Sequence, residues 1–434
     1  MGVSCAGRPG HLDLAAVRNS SGQGDAAGAR ASSAAEQGSR QARRGRHPAA
    51  RADEQRRPTV SCNHRTPGGG RSAELREIRR ITVREVRSGH VGFPGAMRRA
   101  DGSVRVVYRQ GESHADPSGR IIEQIGTSSG THWSTPRVLL DTPGVDDRDP
   151  SVAKLPHGRW ALTFFRFVRG KLGDATVVLH HPFVAIGGEG GLRAPRQLDA
   201  GGLRLEDMVR VRGRWQYASG EPVNVFGCST HLSVADGRWI VPAYGGPALN
   251  LRALDQSPRS RLVLFESSNA GESWQSRPVG PPSSRGMWLQ EPALLPLQGG
   301  RMLMHVRTSE GASPADTGPM GQLESSDGGK SFTRWKPFDF VGHAPELMAL
   351  GNDVVASAFR EVGGDNEQAW VSFILSADGG RTWSAPTRVV ACGDGDCGYP
   401  AWSRLEGDKV LLVYYVPGAI RGAIFRLVDS ACAN

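Results

Sequence analysis

SADGGRTWSAP, residues 376 to 386, decides how the chain is read, because near copies of it recur upstream. SSDGGKSFTRW stands at 325 to 335, SSNAGESW at 267 to 274 keeps the frame with Asn for Asp, and GTSSGTHW at 126 to 133 keeps only the Gly and the Trp. In such a turn the short acidic or hydroxyl side chain bonds N–H groups of its own loop and Gly supplies the unusual dihedral. The aromatic ring then packs between neighbouring sheets. The repeat therefore reads as a structural clasp, and Asp327 and Asp378 are not expected to be catalytic acids.

A second repeat runs out of phase with the first: an apolar strand, a turn built on a small or acidic residue with Gly, and another apolar strand. Its copies are AMRRADGSVRVVYR (96–109), VAKLPHGRWALTFF (152–165), LSVADGRWIVPAY (232–244), LLPLQGGRMLMHVR (294–307), LMALGNDVVASAFR (347–360) and WSRLEGDKVLLVYY (402–415). These are hairpins. Their turn glycines, at 102, 158, 237, 300, 351 and 407, are spaced by 56, 79, 63, 51 and 56 residues, close to the length of one propeller blade. The expectation is an all-β fold, a six-bladed β-propeller over residues 78–434. The widest interval also holds MVRVRGRWQYASG (208–220), either an extra hairpin or a poorly marked seventh blade.

The net charge of +10 is concentrated at one end. From Met1 to Arg87 there are 17 Arg, no Lys and 8 acidic residues, whereas the remaining 347 residues carry 36 basic against 35 acidic. Residues 1–77 lack aromatic residues and apolar period, so they are expected to form a disordered basic tail. Its Arg-rich run suits a polyanion, but an unselected extension is the simpler reading, and nucleic acid is not expected as a partner. No signal peptide and no apolar run long enough for a membrane span is visible. Of six cysteines, Cys392 and Cys397 flank a GDGD loop and form either a disulfide or two free thiols. No Cys/His spacing of a zinc site and no calcium-loop ligand series occurs, so neither metal nor other cofactor is expected.

Residues 88–434 resemble the sialidase (neuraminidase) superfamily, in which repeated SxDxGx[ST][WF] turns, the Asp-boxes or BNR repeats, mark a propeller. The resemblance implies a hydrolase acting on an acidic glycan, with a Tyr nucleophile partnered by a Glu, an acid/base Asp, and three Arg holding the substrate carboxylate. A neutral phenol activated by a neighbouring base avoids the repulsion that an anionic sugar would exert on a carboxylate nucleophile. Tyr399, in CGYPAWSRLEGDKVLLVYY, resembles the nucleophile, and Glu291, in LQEPALLP, the activating base. Arg307 and Arg360, each ending a hairpin, resemble carboxylate-binding arginines.

The first hairpin departs from the pattern. GHVGFPGAM places Gly92 and Phe93-Pro94 where the family carries Arg-Ile-Pro, so one arginine is missing. Arg109 or Arg148 is the expected substitute, with Asp149 beside it in DDRDPSV. The acid loop YRQGESHADPSGRI offers His114 and Asp116 as proton donors, and His231 is a further histidine with an isolated, core-like setting. Two rival readings share these residues: β-elimination on a uronate, with Tyr399 or His114 removing the C5 proton, and a non-catalytic carbohydrate-binding propeller. A secreted or cell-surface location is what the resemblance implies.

Overall fold

Six hairpin turns organise the described chain, and all six of their glycines sit at positive φ, between 65° and 102°. That conformation is open to Gly at no steric cost, and each turn joins an antiparallel pair of strands. The computed structural model describes residues 72–172, 175–188, 190–198, 208–211, 214–217, 224–247, 261–280, 287–310, 317–363, 368–393 and 396–430. Among them the regular structure is strand, apart from a three-residue 3-10 turn at Gln298–Gly300. No helix is long and apolar enough to cross a membrane.

The sheets are antiparallel meanders. His90–Arg98, Val104–Gly111, Arg120–Gly126 and Arg137–Leu140 form one in chain order. Asp146–Lys154, Trp160–Leu172, Ala175–Gly188 and Arg196–Gln197 form the next. In a third, Asn224–Gly227 and Ser233–Ala235 both pair with Arg238–Pro247, followed by Arg261–Ser267 and Gln275–Val279. Met208–Val211 and Arg214–Tyr217 stand apart as a two-stranded extra hairpin.

Residues 287–391 form a single seven-stranded sheet, where the hairpin count suggested two separate units. The long strand Lys336–Gly351 joins them: its first residues pair with Pro319–Ser325 and its later ones with Val354–Val362. KPFDFVGHAPELMALG holds no Asp-Gly or Asn-Gly turn to break the strand, so hydrogen bonding carries through.

The last sheet joins the two ends of the described chain. Gly398–Arg404, Lys409–Val416 and Ala419–Ser430 are completed by Ser72–Glu85, which pairs along Ala419–Ser430. Residues 72–77, assigned above to the tail, thus belong to the sheet. Ala73 and Leu75 alternate inward and are buried, too short an apolar pattern to stand out from the Arg-rich sequence before it.

The core lies in layers between successive sheets. Val106, Tyr108 and Ile122 meet Leu411, Val413 and Ile420 in one layer, and Met97, Val107 and Ile121 meet Leu162, Phe164 and Phe183 in the next. Phe373, packed on Trp402 and Phe425, anchors the layer that closes the C-terminal sheet. Truncating it to Ala would cost about 3–5 kcal/mol.

The first turn quoted shows its bonding plainly. Ser376 Oγ donates to Asp378 Oδ1 at 2.7 Å and accepts the Gly380 N–H at 2.8 Å. Asp378 also accepts the Thr382 N–H and hydroxyl at 2.9 and 2.6 Å. Ser325, Asp327 and Ser331 repeat this arrangement, and Ser267, Asn269 and Ser273 repeat it with an amide. Trp383 donates its indole N–H to Gln322 at 2.7 Å and leans on His305, 4.9 Å between ring centroids. Burial pushes His305 down to about 4, which keeps it a neutral core residue.

Candidate active site

The first strands of five hairpins share an irregularity that places the site. Each breaks register at an X-Pro step, and X lies in the left-handed region: Phe93 (φ 55°), Asp149 (46°), Glu291 (48°), Ala344 (47°) and Tyr399 (43°). Proline has no N–H for the ladder, which explains the bulge. A non-glycine residue held at positive φ costs about 1–3 kcal/mol, a strain that surrounding structure must impose. Phe93, Asp149, Ala344 and Tyr399, with their prolines, line one small cavity. Glu291 reaches the same place through its hydrogen bonds.

Glu291 is the hub. Its Oε1 accepts the Tyr399 hydroxyl at 2.5 Å and Arg307 Nη1 at 3.2 Å, and its Oε2 accepts the Ala344 N–H at 2.8 Å. A short bond between a phenol and a buried carboxylate is charge-assisted and strong. Burial, reinforced by the fields of Glu291 and Asp149, holds the Tyr399 phenol well above its ordinary pKa, so it rests neutral. Burial works against the Arg307 cation, but Glu291, Tyr399 and Tyr244 together outweigh it and hold the guanidinium above its usual value. Asp149 is pushed up to about 7 by burial, against the pull of Arg148 and with further upward push from Glu291 and Asp146.

Equivalent positions on the second strands carry the cations. Arg307 pairs with Gln290, Arg360 with His343 and Arg109 with Gly92, each beside the bulge of its hairpin. The Arg360 Cβ sits 2.9 Å from where a side chain on Gly398 would begin, immediately before Tyr399. Among the described residues no carboxylate pairs with Arg360, and its buried Nε has no hydrogen-bond partner. Arg148 donates to the His114 carbonyl at 3.0 Å and lies 4.7 Å over the Phe93 ring.

Arg109 is differently placed from the expectation. Its fully buried guanidinium is bidentate to Asp146, at 2.5 and 3.0 Å, and also bonds Asp116 at 3.2 Å. Gly119 has no room for a Cβ because Asp146 and Arg109 pass through that space. Asp116 is likewise committed to its own loop. Burial would raise its pKa, but the Ser118 hydroxyl, the Ser113 and Ser118 N–H groups and Arg109 together hold it well below the carboxylate range. Arg109 is thus fully buried and its guanidinium is taken, which departs from the clamp role expected for it, while Asp116 is part-exposed with its carboxylate bonded within its own loop.

His114 is the accessible member of that loop. Its side chain is 54% exposed, its Nδ1 lies 3.2 Å from Asp396 Oδ1, and its ring meets Phe93 edge-on at 5.2 Å. Cys392 and Cys397 are joined by a disulfide that closes the loop carrying Asp396. Asp396 also accepts the Tyr415 hydroxyl at 2.9 Å. The position of the missing arginine is filled: a Cβ on Gly92 would lie 2.7 Å from the His90 ring and 3.4 Å from Tyr415.

His231 is not in this constellation. It pairs with Glu346 at 2.6 Å on the wall of a second cavity, lined by residues beyond the X-Pro steps such as Met97, Val152, Leu295 and Trp402. His90, Tyr244, His343, Asp396 and Tyr415 escaped the sequence reading. Tyr244 and His343 are coupled electrostatically to Arg307, and burial is the first cause of the raised phenol and the lowered imidazole. The recurring X-Pro step at one offset in five hairpins is the signal that could have found this region.

The fold has known counterparts. A Dyadobacter fermentans protein of unknown function is 19% identical, with a TM-score of 0.64 over 82% of this chain and 99% of that one. The Hadza microbial sialidase Hz136 is 14% identical, with a TM-score of 0.56 over 78% of this chain and 66% of its own. The Trypanosoma rangeli sialidase, solved as a covalent intermediate with 2,3-difluorosialic acid, is 12% identical, with a TM-score of 0.54. The chain has a sialidase-like fold. It spans 58% of the trypanosomal sialidase's length, and identities this low speak to the fold alone. No protein-family model and no curated protein matches the sequence.

Proposed function

We propose that this chain is a sialidase-like exo-glycosidase, built as a six-bladed β-propeller, that hydrolyses the bond to a terminal acidic sugar. The observation that carries the reading is the Tyr399–Glu291–Arg307 cluster, with the phenol 2.5 Å from the carboxylate. The blade count is supported by the six hairpins and by core layers that follow one another from sheet to sheet.

In this reading the Tyr399 oxygen attacks the anomeric carbon while its proton passes to Glu291. The glycosidic bond breaks, and the leaving oxygen takes a proton from His114, which Asp396 orients. Water then attacks the same carbon, giving its proton back to His114, and Tyr399 departs with the proton from Glu291. Arg360, Arg307 and Arg148 face the substrate carboxylate, Arg360 being the cation without a carboxylate partner. Asp149, whose pKa burial lifts to about 7, lies at the base of the site and offers a hydrogen bond in its protonated form. The turns at 325–332 and 376–383 are Asp-boxes in this account and take no part in the chemistry.

The test is a panel of terminal sialosides and uronates, followed for free acidic sugar and for the ultraviolet absorbance of an unsaturated uronate. Free sugar without new absorbance is expected. A rise in absorbance would replace hydrolysis by elimination, and saturable binding without turnover would leave a carbohydrate-binding protein.

A further inference from the structure

Phe93 and Tyr399 form one wall of the candidate site, and above them three metal-ligating side chains from distant parts of the chain come together. His90 belongs to the first strand of its hairpin, His114 to the loop after Val104–Gly111, and Asp396 to the disulfide-closed loop. His90 Nε2 lies 3.2 Å from Asp396 Oδ2, and His114 Nδ1 lies 3.2 Å from Asp396 Oδ1. The two imidazole rings meet edge-on with centroids 5.1 Å apart. All three ligand atoms fall within 4.8 Å of one another.

We propose that His90, His114 and Asp396 form a binding site for a divalent transition-metal ion, of which zinc is the natural probe. Bonds of about 2.0–2.2 Å to nitrogen and carboxylate oxygen put tetrahedral ligand atoms about 3.4 Å apart. Each imidazole already approaches one oxygen of the Asp396 carboxylate at 3.2 Å, His90 at Oδ2 and His114 at Oδ1. The gap between the imidazoles closes by rotation of the exposed His114 side chain.

An independent observation points the same way. The His90 side chain is 11% exposed, yet neither of its ring nitrogens has a hydrogen-bond partner, because the approach to Asp396 lacks the alignment of a bond. A largely covered imidazole whose polar neighbour is a poorly aligned carboxylate is costly, and a metal ion between the two relieves that cost. Tyr415 supplies the outer support expected of a metal site, holding the Asp396 carboxylate through its hydroxyl at 2.9 Å. Two imidazoles and a carboxylate suit zinc, cobalt, iron or nickel over calcium or magnesium, which prefer all-oxygen shells.

A consequence rests on the proton-donor role given to His114 above: an ion ligated by Nδ1 withdraws that imidazole from proton transfer, so zinc inhibits the reaction. Binding itself does not depend on that reading and is measured separately. The full-length protein, stripped with EDTA, is titrated with zinc by calorimetry, and with cobalt while visible absorption is recorded. One zinc per chain and cobalt bands of tetrahedral intensity are expected. His90→Gln and Asp396→Asn should each weaken zinc binding at least tenfold, while Tyr399→Phe binds as the parent does. Circular dichroism and melting temperature establish that the variants are folded. No stoichiometric zinc in the parent, or equal affinity in folded His90→Gln and Asp396→Asn, would overturn the site. Stoichiometric zinc without inhibition of an active enzyme would leave the site standing and remove His114 as proton donor.

Discussion

Two features recur through this molecule, and they use repetition in opposite ways. The turn at Ser376–Trp383 and its copy at Ser325–Phe332 keep the Ser, the Asp and the paired Gly and close their hydrogen bonds on themselves. Burial would raise the Asp378 pKa, but the Thr382 and Ser376 hydroxyls and backbone N–H groups together hold it below the ordinary carboxylate value, and hydrogen bonds from Ser331 and Ser325 hold Asp327 low. The X-Pro bulges instead keep a backbone and vary the side chain, presenting Phe93, Asp149, Glu291, Ala344 and Tyr399 toward one region. The Glu291 carboxylate and the Tyr399 phenol find their partners on other strands. A repeat whose polar groups are satisfied locally maintains architecture. One whose backbone is strained while its side chains converge is where chemistry is expected.

Glu291→Gln is the sharpest way to break that comparison on the convergent side. It keeps the shape but removes the base for Tyr399, so kcat should fall by about 10²–10⁴-fold with the melting profile little changed. Steady-state kinetics beside a thermal scan read both. Arg109→Ala should do the reverse. It leaves Asp146 buried without its bidentate cation, with only Arg148 at 3.6 Å, a loss of about 3–5 kcal/mol, while activity per folded molecule persists; denaturant unfolding measures it.

Asp378→Ala tests the self-closed side. Removing its hydrogen bonds should lower stability by about 1–2 kcal/mol and leave KM and kcat unchanged. A selective loss of kcat would mean that the turn reaches the site after all.

The smallest effect is a pH slope. Asp149 carries a folded pKa of about 7 against an ordinary 3.8, so the folded state holds this proton more tightly than the unfolded one. The associated stability is complete below about pH 4 and is lost as pH rises through about 7, at no more than about 1.4 kcal/mol per pH unit. Asp149→Asn should flatten that part of the profile. An unchanged slope in the variant would assign it to another group.

The hairpins, their turn glycines and the clasp bonding were legible because each is local: a strand, a Gly, a strand, or five residues bonding among themselves. Tyr399, Glu291 and Arg307 were brought into one hypothesis by resemblance, and the structure places them in contact across three separate strands. What local pattern could not show was which polar groups were already taken. Arg109 and Asp116 look available in YRQGESHADPSGR, but Asp146, some thirty residues on, takes the Arg109 guanidinium, and the Asp116 carboxylate is held by Arg109 and by its own loop. The metal-ligand cluster escaped for the same reason, since His90 and Asp396 lie about three hundred residues apart and no spacing rule joins them. The phenylalanine at Phe93 and the glycine at Gly92 read as a lost arginine. In three dimensions the His90 and Tyr415 rings occupy that space.

The central claim is that Tyr399, activated by Glu291, attacks the anomeric carbon of an acidic sugar. Turnover of a fluorogenic 2-α-sialoside by the full-length protein, beside Tyr399→Phe, tests it most directly. The account predicts measurable release by the parent and its loss in a variant that melts at nearly the same temperature. Equal turnover by parent and variant would contradict it.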